Sequence, residues 1–220
     1  MPVTVTERGR AALTGPTVQT ILAVVGMYLL QLGLRSAGVG TDAFVLRLPV
    51  SQRPWTLVTT VYAHAGVIHL GTNVAVLALV GLLVEARITR AGFHALFLSA
   101  GVLAAGSVVL AGAAIGVPVG AIGASGAVFA LVGYGVTAPA APGRRSTPAS
   151  GPGSDRPRAH GVGRPPSRGP PRLSLFGFGT ILVFGPLVVG VAPLEVLGHA
   201  VGFAIGLGVG AVSWPGETEV

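Results

Sequence analysis

The sequence predicts an all-α polytopic membrane protein with six transmembrane helices and both termini cytoplasmic. Three observations carry that prediction: an apolar, charge-poor composition, a series of span-length apolar runs, and an uneven arginine distribution. Half of the 220 residues are hydrophobic (51%) and only 10% are charged, with a mean hydropathy of +0.76. A water-soluble domain carries about 25% charged residues, so this chain belongs to the membrane class. It has no cysteine, which excludes disulfides and thiolate metal sites. The net charge of +7 comes from 14 arginines with no lysine. Seven of them fall in one Pro/Gly-rich segment between apolar runs. That pattern fits a cytoplasmic membrane loop and not a nucleic-acid-binding face.

Residues 1–16 form a polar cytoplasmic tail with Glu7, Arg8 and Arg10, and residues 17–137 hold spans one to four. Thr17 to Leu34 is the first span, long enough at 1.5 Å per residue to cross a core of about 30 Å. The small residues Ser36-Ala37-Gly38 follow it, as they would in a cleaved signal peptide. The run, however, exceeds the roughly 7–15 apolar residues of a signal sequence. From Gly38 to Thr60 the charges and prolines multiply, and Phe44-Val45-Leu46 with Trp55 suggests a loop dipping into the membrane interface. Val67 to Val84 is the second span, Ala91 to Ala114 the third, and about Ala124 to Val136 the fourth. Residues 138–172 are rich in Pro, Gly, Ser and Arg and offer almost nothing to bury, so disorder is expected there. Residues 173–213 hold span five (Leu173 to Ala192) and span six (Glu195 to Ser213), and residues 214–220 close the chain as a polar tail.

An N-terminus inside puts eleven arginines on the inner side and leaves Arg35, Arg47 and Arg53 outside, as the positive-inside rule requires. Spans two, four and six then all run inward. His64, His69 and Asn73 come near the outer end of span two, Ser125 at the outer start of span four, and His199 one turn into span six. His69 and Asn73 are four apart and share a helix face. Gly198, Gly202, Gly206 and Gly210 repeat every fourth residue, and Gly126 and Ala130 do the same on span four. Such small-residue rows let helices approach closely and would bring His199 toward Ser125. A serine hydroxyl needs a base to become a nucleophile, and histidine titrates in the right range. Ser125 is thus the candidate nucleophile and His199 its general base and acid. Charge developing on the attacked carbonyl needs fixed donors, which His69, the Asn73 amide and the Ser125 backbone N–H would supply. Asp42 and Asp155 lie in loops, so a dyad is expected and not a triad.

These motifs resemble those of the six-span rhomboid intramembrane serine proteases. The family's GxSG matches Gly123-Ala124-Ser125-Gly126, its HxxxxHxxxN matches His64, His69 and Asn73, and its GHxxGxxxG matches Gly198, His199, Gly202 and Gly206. The likeness covers about Val18 to Ser213 apart from the 138–172 insertion. It implies a rhomboid-like fold and a Ser125–His199 dyad in a water-filled cavity, with His69 and Asn73 at the oxyanion hole. It also implies single-span membrane proteins as substrates, cut in or near the bilayer after lateral entry past span five. The family's aromatic that packs on the catalytic histidine is Phe129 here in place of the common tyrosine. Thr56 stands after Trp55 where an arginine is frequent. His64 has a supporting role. No cofactor, metal or nucleic acid is implied; the partners are transmembrane substrates and the bilayer.

Two other readings compete. One is a catalytically inactive relative that binds transmembrane helices, against which stands the presence of both Ser125 and His199. The other is a small transporter with a polar pathway, which lacks the inverted repeats and midplane charge pairs expected of one. The absence of lysine and abundance of Gly, Ala, Val and Arg point to a GC-rich bacterial coding sequence. The expected location is therefore a bacterial plasma membrane with the site facing the exterior.

Overall fold

The computed structural model describes residues 15–139 and 193–212. The expected N-terminal tail up to Thr14, the expected disordered loop from residue 140, span five and the C-terminal tail lie outside the described residues. Within them the fold is helical: α1 (Pro16–Ser36), α2 (Thr56–Tyr62), α3 (Val67–Val84), α4 (Arg90–Ala114), α5 (Ser125–Thr137) and α6 (Pro193–Val212). Among the described residues the one β pairing is an isolated bridge between Leu46 and Ala121. Four helices, α1, α3, α4 and α6, are long and apolar enough to cross a membrane, and the protein is an integral membrane protein. The α1, α3 and α4 boundaries fall within a few residues of spans one to three, and α6 begins two residues before the expected span six.

The first helix is built inside out relative to a helix of a soluble bundle. On α1 the buried positions are Pro16, Thr17, Thr20, Val24 and Gln31, while Leu22, Leu29 and Leu30 are exposed. With lipid as solvent, leucine gains nothing by facing protein, and small or polar groups make the interhelical contacts. Proline opens α1, where its missing N–H costs nothing, and Glu85 at the end of α3 accepts a 3.2 Å hydrogen bond from Thr17 N–H. That carboxylate also suits the positive end of the α1 dipole. Thr89 caps α4 by accepting from Gly92 N–H at 3.1 Å.

The central helix is α5. Every residue from Gly126 to Val136 is buried, the signature of a helix surrounded by others. Its 13 residues rise only about 20 Å, short of a hydrocarbon core of about 30 Å. Tyr134 Oη donates to Arg87 O and Arg87 Nη1 to Gly135 O, both at 2.9 Å. The C-terminus of α5 is therefore level with the end of α3 and the start of α1, and its N-terminus stops partway across the bundle. Glu85 and Arg87 thus both hold helix ends together.

Helix α6 runs parallel to α5 in backbone contact. A methyl at Gly202 would strike the Gly126 carbonyl, one at Gly206 the Ala130 carbonyl, and one at Gly210 Thr137. The expected small-residue rows meet in register. Thr137 Oγ1 locks the lower end by donating to Leu207 O at 2.9 Å.

Candidate active site

Ser125 opens α5 at the foot of a descending loop. Helix α4 is 25 residues long, and Ala104 on it touches Gly126. From Ala104 to Ala114 the helix rises a further 15 Å or so, and the chain then returns along it to Ser125. The site is therefore sunk in the bundle. Irregular backbone at such depth must be satisfied within the protein, and here it is. Ala121 exchanges two 3.0 Å bonds with Leu46, and Gly123 N–H donates to Thr60 O at 2.9 Å. Thr60 Oγ1 donates to Ala121 O at 2.5 Å. Phe44, Val45 and Leu46 are buried against this loop. In the segment expected to dip into the interface, Phe44 to Leu46 thus pack on protein while Trp55 stays exposed.

Gly123 has φ +128°, a conformation open to glycine and strained for other residues. A side chain there would also collide with His69, whose Cε1 and Nε2 would lie 2.5 and 2.8 Å from the added carbon. The His69 imidazole is thus laid directly over the turn that precedes Ser125. Asn73, one turn on and buried, donates one amide N–H to His69 O at 2.8 Å, leaving the other for the cavity. The first N–H groups of α5 have no intrahelical acceptor and are a ready anion site.

His199 enters from α6. Its ring lies 4.5 Å from that of Phe129, centroid to centroid, at 30°, and its Nδ1 is buried with no hydrogen-bond partner among the described residues. Among the described residues, stacking and not an acceptor on Nδ1 supports the imidazole. Among the described residues no hydrogen bond joins Ser125 Oγ to His199, and apo geometry of that kind is common before substrate binds. Both residues line one cavity of 480 Å³, together with His69, Asn73, Gly123, Gly126, Phe129 and Gly198. Eight of the ten residues named from the sequence therefore meet there. The other two stand behind it: Gly202 against Gly126, and His64 with its ring 5.1 Å from that of His69 at 65°.

His64 lies in the link between α2 and α3. It is 1% exposed, its Nδ1 is 3.0 Å from Tyr62 O, and its backbone is clamped by Gln31, which accepts from His64 N at 2.9 Å and donates to His64 O at 3.2 Å. Burial first, and the neighbouring His69 second, push the His64 pKa down to about 4, although the Tyr62 carbonyl pulls upward. It is neutral at physiological pH.

Gln31, Thr60 and Glu195 are positions at or behind the cavity that the sequence reading misses. The first two act through contacts 33 and 61 residues away, which leave no local signal. Glu195 lines the cavity, and its i, i+4 spacing from His199 is a signal that marks it. The loop departure at Thr56 is compensated nearby: Arg53 donates to Asp42 O at 2.6 Å, and Trp55 Nε1 to Ala43 O at 3.0 Å.

Residues 51–143 match the family model described as the Rhomboid domain, and no curated protein matches the chain. The matched segment carries His64, His69, Asn73 and the Gly123–Gly126 turn. His199 lies beyond it and joins the site through the packing of α6 on α5.

Proposed function

Because the chain belongs to the rhomboid family, whose members are generally intramembrane serine proteases, we propose that it is an active endopeptidase. It cleaves single-span membrane proteins within or near the bilayer. The observation that carries this reading is the shared cavity, in which Ser125 and His199 face the same space from two parallel helices in backbone contact.

His199 takes the proton of Ser125 Oγ as that oxygen attacks the peptide carbonyl. The oxyanion is received by the Ser125 backbone N–H, the remaining Asn73 amide proton and His69, donors already in place before charge develops. His199 returns its proton to the leaving amine. Water then attacks the acyl-enzyme by the reverse sequence, with His199 again as base. The recessed position of Ser125 suits a substrate helix that unwinds into the cavity, since a peptide bond inside a helix has its carbonyl and N–H engaged. With the N-terminus inside a bacterial plasma membrane, the cavity faces the exterior.

The test is labelling by a fluorophosphonate probe in detergent, with Ser125→Ala and His199→Ala alongside. Labelling of the parent, lost in the Ser125 variant and reduced at least about 1,000-fold in the His199 variant, is the expected result. Equal labelling of His199→Ala would remove that residue as the base. A folded parent that takes no label would favour the alternative, a catalytically inactive rhomboid-like protein that binds transmembrane helices.

A further inference from the structure

Among the described residues, Glu195 is the only carboxylate lining the cavity, and no arginine lines it. It is exposed, and the one ion pair among the described residues, Arg47 with Asp42, leaves it unpaired. It stands in the first turn of α6, one turn before His199, on the side of the cavity away from the α5 C-terminus. The α4 wall of the cavity is apolar, with Ala104, Ala105 and Val108. Few dipoles there compete for the carboxylate, so a cation entering beside it is screened less than in open water.

We infer that Glu195 determines specificity, selecting substrates that carry a basic side chain just to the surface side of the bond that Ser125 attacks. This rests on the protease reading above. A guanidinium or ammonium arriving with a substrate segment meets a carboxylate without an ion-pair partner among the described residues, one helical turn above the catalytic histidine. An acidic side chain in the same register meets repulsion, and discrimination comes from both effects. Membrane segments flanked by arginine or lysine at the interface match this arrangement, since those residues reach toward the surface while the chain stays in the core.

Three fluorophosphonates identical except for the tip of a short alkyl arm test the inference without knowledge of the natural substrate. One ends in trimethylammonium, one in a neutral tert-butyl group of the same shape, and one in a carboxylate. The readout is the ratio of inactivation rates, so any general loss of reactivity cancels. In the parent the cationic probe is expected to react up to about fivefold faster than the neutral one, and the anionic probe slower than both. Glu195→Gln is expected to bring the cationic-to-neutral ratio close to one, and Glu195→Asp to keep most of it. Thermal unfolding of each variant verifies that it is folded. A ratio near one in the parent, or the parental ratio surviving in Glu195→Gln, overturns the inference while leaving the protease standing. A folded parent that reacts with none of the probes overturns both.

Discussion

The two sides of α5 are held in different ways. Toward α6 the contact is backbone on backbone, with Gly202, Gly206 and Gly210 seated on the carbonyls and hydroxyl of Gly126, Ala130 and Thr137. Toward α1, α2 and α3 the structure is fastened by discrete polar pins: Gln31 on the His64 backbone, Thr60 on the serine loop, Arg87 on the end of α5. The first side joins the candidate nucleophile to its base, and its geometry is set by contacts with no flexible atoms in them. The second side positions the candidate oxyanion donors through bonds that can be removed one at a time. Where the two reacting groups come from separate helices, rigidity is concentrated at their interface.

That contrast is broken most directly at Gly202. Gly202→Val puts a branched side chain into the Gly126 carbonyl, and neither helix can yield without separating Ser125 from His199. Labelling by the fluorophosphonate is expected to fall more than about 100-fold, the scale on which a misplacement of about 1 Å acts. Gly33→Val on α1, with open space around the position, is expected to stay within about twofold, as a surface change should. Equal losses in the two variants would show that the glycine seam has no special role.

How much of this was legible in the sequence follows the same division. The glycine row on the last span and the small residues of the fourth are local patterns at helical spacing, and their meeting could be read from spacing alone. The same holds for His69 with Asn73, and for the GxSG turn, where φ +128° at Gly123 leaves little choice of residue. The pins were not legible. Gln31 looks like a polar interruption in an apolar span, and nothing within ten residues tells that its amide will close on the His64 backbone. The loop around Phe44 to Leu46 reads from its apolar residues and Trp55 as dipping into the interface, and nothing local in it announces the backbone pairing of Leu46 with Ala121. The brevity of α5 sinks the site; the expected span is as short, but its depth depends on the overhang of α4.

The polar side can be probed by pH. The folded His64 pKa is lowered to about 4 from an ordinary 6.5, so the unfolded chain binds the proton that the folded chain refuses. Stability is then greatest above about pH 6.5 and declines as the pH falls toward 4, by at most about 3 kcal/mol. His69, whose ring faces His64 edge-on, contributes to the same repulsion of charge. Unfolding midpoints in detergent across that range are expected to fall less steeply in His64→Gln than in the parent. Identical slopes would mean that another group carries the acid sensitivity of this half.

Phe129 stands on the seam itself and sharpens the comparison at the smallest scale. Its ring is the one identified support of the His199 imidazole, whose Nδ1 has no acceptor among the described residues. An aromatic contact of this kind is worth about 0.5–1.5 kcal/mol, and a rate effect of that size is at most about tenfold. Phe129→Ala is therefore expected to lower the labelling rate about tenfold with the helix pair intact, since the glycine contacts do not involve the side chain. Phe129→Tyr keeps the stacking face and is expected to stay within about twofold. Phe129→Leu separates the two components of the contact, because it fills the space without presenting a planar face. If leucine restores the rate, bulk alone holds the imidazole; if it behaves like alanine, the orientation of the base depends on ring against ring, and the rigid backbone of the seam sets the position of His199 but not its angle.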